Sequence, residues 1–423
     1  MMKQIELSKT EFDQYAKLHP LGSFEQTSEF ANFKEGESWH PYFVALEEKG
    51  KILGATLLLA KETKILKKRF FYAPRGFLID YTEEDFVKEF TNQIIQFIQK
   101  KKGILLKIDP YLPRQARNNE GNLIEGGYNH DFMEQNIKQA GFEKVASSIQ
   151  PQWLLRLNLA KKTLEDLFEE MDPKARQIIR RNEKMGFSIR ELQEEREQKE
   201  WIQFMQEANK KNKIIQYTDT FYQDLLHSFG KKQCKIISVE ITPQKIIRNL
   251  KSELQSLKQK RELRNQAYQI HKITEQTYLT QEKEDTEKEK SLLNNISYFE
   301  KKEQEKPIFL GGYLFLLTGK EIVALQGAMV EEYIKFDASY TIHFHMINYA
   351  LENNFTYYNL YEINKPNDQE SPLYGSYLYK KKFGGEVVEL IGEYDYKISP
   401  KFYSFYQKHF PQFYGVKTIF QEK

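Results

Sequence analysis

The chain has 423 residues, 40% of them hydrophobic, which is enough for two or three ordinary domains with buried cores. Its 63 basic and 60 acidic residues leave a net charge of +3, which excludes a globally basic nucleic-acid binder and confines any polyanion site to a local patch. A single cysteine, Cys234, excludes an internal disulfide, and with no apolar run of about 18 residues no membrane span is expected.

The charged start, "MMKQIELSKTEFDQY", lacks the apolar run of a signal peptide, so the expected setting is the cytoplasm. Residues 42–60, "YFVALEEKGKILGATLLLA", read as two strands around a charged turn at Gly50. Residues 83–102 have helical periodicity, with Phe86, Phe90, Ile94, Ile95 and Ile98 on one face. Gly103 and the strand "ILLKIDP" follow. The second half repeats this order. "CKIISVEI", which carries Cys234 as an expected buried thiol, pairs with "IFLGGYLFLL". Then come a turn at Gly319, the strand "EIVALQGAM", the helical run "ASYTIHFHMINYALENN" and the strand "FTYYNLYEI". "ILGATLLLA" and "FLGGYLFLL" share their size pattern and glycine placement. The reading is a duplicated α/β unit.

In the second copy the hairpin turn is replaced by residues 243–307, rich in Lys, Glu and Gln and free of internal Pro and Gly. Ile247, Leu250, Leu254 and Leu257 near its start, and Leu292, Ile296 and Phe299 near its end, are spaced three and four apart. Two such helices leaving and re-entering at one hairpin position must run antiparallel. The segment is therefore expected to be a projecting helical coiled-coil arm with its tip near 276–286. The expected domains are 1–147; 148–242 with 308–396; and the arm, 243–307, with the tail from about 397 to 423 packing back on the first.

A duplicated unit of this kind is used by acyltransferases of the acetyltransferase-like fold. The Q/R-x-x-G-x-G/A loop that holds the pyrophosphate of coenzyme A is absent, which disfavours coenzyme A as donor. Several segments, in order along nearly the whole chain, resemble the Fem-type peptidoglycan aminoacyltransferases (the FemA, FemX and MurM-like group). They are "QTSEFANFK" (26–34), "FYAPRGFLIDY" (71–81), "GFEKVASSIQPQWLLRLNL" (141–159), "KARQIIRRNEKMGF" (174–187), the arm, and "YKKKFGGEVVELIGEYDY" (379–396). The resemblance implies an α/β fold of two tandem acetyltransferase-like subdomains. It implies transfer of an amino acid from aminoacyl-tRNA to the stem-peptide amine of a peptidoglycan precursor, lipid-linked in most members. No cofactor is implied, because the ester is already activated. Association with the inner face of the membrane would be peripheral.

Such a reaction needs positioning, a proton acceptor and stabilisation of an oxyanion or of precursor phosphates. Lys380, after Tyr379, matches the family lysine that contacts precursor phosphate or the reaction centre. Gly384 and Gly385 are expected to let backbone approach the substrate, with Lys381 and Lys382 in solvent. Arg75, between Pro74 and Gly76, suits a phosphate or carboxylate. Lys34 is expected on a helix facing the cleft. Asp109 ends the strand "ILLKIDP", where open α/β sheets place functional side chains, and it matches a family acidic position. For tRNA the candidates are Lys174, Arg176, Arg180, Arg181 and Lys184, plus the arm. His343 and His345, on different helix faces, read as structural. The competing reading is a non-catalytic tRNA- or protein-binding scaffold of the same fold.

Overall fold

The computed structural model describes residues 2–63, 67–146, 148–211, 220–302 and 307–409. Among these described residues fourteen strands form two seven-stranded sheets. The first contains β1 (Lys3–Glu6), β2 (His40–Glu48), β3 (Lys51–Glu62), β4 (Arg69–Ala73), β5 (Gly103–Ile108) and β6 (Glu143–Lys144). The second contains β7 (Trp153–Asn158), β8 (Ser188–Glu191), β9 (Cys234–Ile241), β10 (Ile308–Thr318), β11 (Glu321–Met329), β12 (Tyr357–Glu362) and β13 (Glu386–Glu389). The last strand, β14 (Tyr394–Lys397), returns to the first sheet.

The spatial orders are β1-β2-β3-β4-β5-β14-β6 and β8-β9-β10-β11-β12-β7-β13. Read side by side they are one pattern. An antiparallel run, β1 to β4 or β8 to β11, ends in a parallel pair, β4 with β5 or β11 with β12. A crossover helix, Glu84–Lys100 or Ser339–Glu352, joins each parallel pair, as parallel strands require. Phe90, Ile94, Ile95 and Ile98 of the first helix are buried. The shared "ILG" and "FLG" triplets are the same irregularity. Register shifts by one residue at Leu53 in β3 and at Leu310 in β10, each directly before a glycine. These are β-bulges, which bend a strand and increase its twist. Cys234 is buried.

The helical segment occupies the hairpin position predicted for it. Glu48 pairs with Lys51 across the short turn of the first copy, and Ile241 pairs with Ile308 across the base of the arm. The arm is two 27-residue helices, Pro243–Gln269 and Glu275–Lys301. Its antiparallel course is fixed by ion pairs from Lys251–Glu300 near the base, through Lys288–Glu253, to Arg264–Asp285, with Tyr268 and Tyr278 stacked at 4.5 Å near the tip. Leu250, Leu257, Leu292, Ile296 and Phe299 are buried, joining the core of the second subdomain. The tip lies at 270–274 rather than 276–286. Thr274 caps the second helix by accepting from the Thr277 amide, and His271 takes a left-handed φ of 58°, so the turn precedes the polar stretch assigned to it.

The subdomain boundary at 396 also moves. β13 pairs with β7 in the second sheet, whereas β14 pairs with β5, Tyr394 opposite Ile108. Each sheet thus receives a strand at its sixth position from the region flanking the other. β7 follows the first subdomain in sequence and enters the second sheet, and β14 follows the second and enters the first. The helix Pro400–His409 continues against the first sheet, with the Ser399 amide donating to the Ile104 carbonyl at 3.1 Å. Residues 410–423 of the expected tail lie outside the described residues. A shared core containing Phe24, Phe30, Phe33, Phe229, Ile236 and Leu316 joins the subdomains.

Candidate active site

Arg75 sits in the "APRG" turn after β4, with a left-handed φ of 52°, and is 2% exposed. Its guanidinium lies 3.4 Å from the Asp109 carboxylate and 3.6 Å from that of Glu25, and donates to the Pro151 carbonyl at 2.9 Å. Asp109, directly after β5, accepts from the Arg75 amide at 2.8 Å and from the Tyr72 hydroxyl at 2.9 Å. Burial raises both carboxyls to about 7, against the pull of the guanidinium. Arg75 also lies 5.7 Å from the Tyr111 ring, and the Tyr111 hydroxyl reaches Glu321 and Asn359 of the second subdomain at 3.0 Å each. Residues expected to bind substrate therefore form a buried polar seam between the subdomains. Neither Arg75 nor Asp109 is open to a precursor in this conformation, and both expectations are corrected.

Gly76 is buried as well. A Cβ there would stand 2.8 Å from Thr56 Oγ1 and 2.9 Å from Gln26 Nε2, so packing against its own subdomain excludes a side chain. Lys34 is fully buried near the end of the helix Ser28–Gly36, where its ammonium pairs with Glu37 and lies 4.9 Å from the Phe33 ring. An ammonium held there does not face a cleft. The family-like "GEYD" is also structural: Glu393 and Asp395 both hold Lys107 of β5, and Glu393 accepts the Ile149 amide at 2.8 Å.

Lys380 is different. It ends the short helix Tyr374–Lys380, is half-buried, and donates from Nζ to the Glu362 carbonyl at 2.7 Å. Burial lowers its pKa to about 8, opposed by the Glu362 carboxylate. Glu362 is exposed, yet burial raises its pKa, opposed by Lys380 and Arg75. Lys380 and Glu362 thus meet at the end of β12. His343 is buried, its Nδ1 2.7 Å from the Tyr358 hydroxyl, and burial together with Lys380 drives its pKa down to about 3. Tyr379 turns away, packing against Tyr340 at 5.0 Å and Phe383 at 5.5 Å with its hydroxyl buried, so it packs within its own subdomain and is not a substrate contact.

The two glycines serve the protein's own backbone. At Gly384 (φ 81°) a Cβ would lie 3.0 Å from the Glu170 carbonyl oxygen, and at Gly385 (φ 84°) 2.5 Å from that of Arg156. They let β13 close on β7, which corrects the expectation of a close approach to substrate. Nor is Lys381 simply solvated: it pairs with Glu120 of the first subdomain at 2.7 Å.

Glu362 was missed from sequence, although the repeat carried the signal. Asp109 follows β5 and Glu362 ends β12, the second strand of the parallel pair in each copy. The copy in the first subdomain is buried against Arg75, and the copy in the second is exposed.

Comparison with known proteins accords with this geometry. The FemAB family profile matches residues 7–409. Aminoacyltransferase FemA of Staphylococcus epidermidis is 26% identical over 96% of this chain and 98% of its own, and FemA of Staphylococcus aureus (strain MRSA252) is 25% identical over 96% and 97%. The crystal structure of FemX shares the fold, with a TM-score of 0.75 at 20% identity over 95% of this chain and 99% of that one. The chain belongs to the FemAB family and is an aminoacyltransferase.

Proposed function

We propose that this enzyme transfers an amino acid from aminoacyl-tRNA to the stem-peptide amine of a lipid-linked peptidoglycan precursor, in the building of the interpeptide cross-bridge. Family membership supports the reaction class. The observation that carries the assignment of residues is the hydrogen bond from the half-buried Lys380 ammonium to the main-chain carbonyl of the exposed Glu362, at 2.7 Å, supported by the lowered pKa of the lysine.

The amine nitrogen attacks the ester carbonyl carbon. A C–N bond forms, the bond to the ribose oxygen breaks, and the proton lost by nitrogen ends on that oxygen. The Lys380 ammonium stabilises the developing oxyanion or a precursor phosphate. Glu362 takes the role that sequence assigned to Asp109, orienting the amine and accepting its proton. Arg75, Asp109, Glu25 and Tyr111 hold the two subdomains together. No coenzyme A or other cofactor enters the scheme, and membrane association is peripheral, through the precursor.

The test is incorporation of a radiolabelled amino acid from charged tRNA into lipid-linked precursor. Transfer lowered on the order of 10²-fold by Lys380→Met supports the reading. Failure with every charged tRNA, alongside intact tRNA binding, would favour the scaffold alternative.

A further inference from the structure

The turn between β3 and β4 meets the end of the helix Glu84–Lys100 at one end of the first sheet. Arg69 opens β4 opposite Gly103, and its amide donates to the Lys102 carbonyl at 3.2 Å. The Lys68 carbonyl accepts from the Thr63 amide at 2.8 Å, and the Lys68 amide donates to Thr63 Oγ1 at 3.1 Å. These bonds set Lys67, Lys68 and Arg69 beside Lys100, Lys101 and Lys102. Two of the six have an acidic partner: Arg69 pairs with Glu62 at 3.6 Å and Lys101 with Glu6 at 3.9 Å. Lys67, Lys68, Lys100 and Lys102 have none among the described residues. Six cations against two carboxylates leave +4 on this patch, more than the +3 of the whole chain. A helix C-terminus favours cations in its last turn, which accounts for Lys100 to Lys102 but not for the three that the turn adds. The cations rest on aromatic rings: the Lys68 ammonium lies 4.9 Å from the Phe402 ring, and that of Lys101 4.9 Å from Tyr42 and 5.3 Å from Phe97. Arg69 donates to the Tyr42 hydroxyl at 2.9 Å.

We propose that this end of the first subdomain docks on an anionic lipid bilayer. The proposal rests on the reading of a lipid-linked acceptor and adds a direct contact between the protein and lipid headgroups. Every cation held near a negatively charged bilayer surface adds to the attraction, and ammonium groups braced on apolar rings keep their charge in the headgroup layer. Tyr42 and Phe97 are buried beneath the cations, so these rings act as supports and offer no face for stacking a nucleic-acid base. The residues expected to meet tRNA, Lys174 to Lys184, belong to the second subdomain. β5 is six residues long, which sets the patch about 20 Å from Asp109 at the other end of the strand. Docking there holds the enzyme on the bilayer and leaves the Asp109 end of the sheet away from the lipid.

The experiment sediments the full chain, without precursor, with vesicles of phosphatidylcholine or of an equal mixture of phosphatidylcholine and phosphatidylglycerol. The wild type should bind only the mixed vesicles, and added salt should release it. Combining Lys67→Gln, Lys68→Gln, Lys100→Gln and Lys102→Gln should weaken binding on the order of 10²-fold or more, about fivefold for each cation. The same four positions changed to Arg should bind as the wild type does. Lys49→Gln, Lys51→Gln, Lys231→Gln and Lys232→Gln together remove equal charge from exposed sites elsewhere and should leave binding within a few-fold. In the transfer assay the patch variant should raise the KM for precursor presented in mixed vesicles, with kcat little changed, and should match the wild type for precursor in neutral detergent. No binding of the wild type to mixed vesicles, or equal losses in the two charge-matched variants, would overturn the proposal. So would a patch variant that loses affinity for uncharged tRNA in fluorescence anisotropy while keeping its vesicle binding, which would give the patch to RNA. Failure to transfer to any lipid-linked acceptor would sink that reading alone, because the vesicle series contains no precursor and still decides the patch.

Discussion

Lys380 and Glu362 meet directly: the Lys380 ammonium donates to the Glu362 main-chain carbonyl at 2.7 Å, and the Glu362 carboxylate opposes the fall in its pKa. Both come from the second subdomain, and the Arg75 seam reaches them only through its charge, which opposes the rise in the Glu362 pKa.

With Lys380 acting as a cation, activity should fall as pH rises through about 8, because deprotonation removes the charge. Lys380→Arg, protonated throughout this range, should abolish that limb of the kcat profile if it retains turnover. Lys380→Met should lower kcat on the order of 10²-fold below pH 8, the scale of one lost oriented stabiliser, and the deficit should shrink at higher pH, where the wild-type lysine is itself uncharged. A rate that instead rises through pH 8 would mark Lys380 as the base.

Lys381→Met should behave differently. Its partner Glu120 is more than half exposed, so removing the pair should change stability by less than about 1 kcal/mol and leave kcat within a few-fold of wild type. Equal losses at Lys380 and Lys381 would mean that a diffuse basic patch, not one oriented ammonium, explains the lysine run.

The Arg75 seam should report in stability. Arg75→Ala leaves Glu25 and Asp109 buried without their cation, a loss of about 3–5 kcal/mol, measured by denaturant unfolding. Asp109 has its pKa raised from 3.8 to about 7 by burial. The folded state therefore binds more protons than the unfolded state between those values, and this carboxyl's contribution declines as pH rises through the window. Asp109→Asn should remove that decline, so its Tm relative to wild type should rise from pH 4 to pH 7. A constant difference would show that Asp109 does not titrate in the window.

Gly385→Ala should destabilise the protein more than Gly384→Ala, since the added methyl would meet the Arg156 carbonyl at 2.5 Å against 3.0 Å for its neighbour at Glu170. Both carry a left-handed strain of about 1–2 kcal/mol in addition. The readout is Tm; a changed KM with unchanged Tm would restore the substrate-contact role.

Ile296→Ala removes a buried side chain at the arm's base and should cost about 2–5 kcal/mol. Hydrogen exchange should speed up across 243–302 while amides of β9 and β10 keep their protection. Uniform loss of protection would mean that the arm and the second sheet unfold together.

The duplication was legible because it rests on local signals: the "ILG" and "FLG" bulges, the glycine turns and the 3.6-residue periodicity of the two crossover helices. The arm was legible through its seams, but its tip was not. Gln276 to Thr286 looks like a polar loop, and the stop and start signals at His271 and Thr274 are single residues. Chemical character was read correctly for Arg75 and Asp109 and their placement was not, since charged side chains are rarely fully buried and nothing local announces that three such groups neutralise one another. The exchange of β7 and β14 is invisible for a related reason. "WLLRLN" and "YDYK" specify strands, and which sheet receives them is decided by partners hundreds of residues away.

That exchange bears on synthesis. Tyr394 of β14 lies opposite Ile108 of β5, 286 positions earlier in the chain. As the polypeptide emerges from the ribosome, the first sheet must wait for nearly the whole protein before its sixth strand exists. Contacts of such separation form late and slowly, and an unfilled strand edge is a template for wrong pairing. The nascent first half should therefore be the species that a chaperone holds, and nicking the chain just before β14 should expose it again.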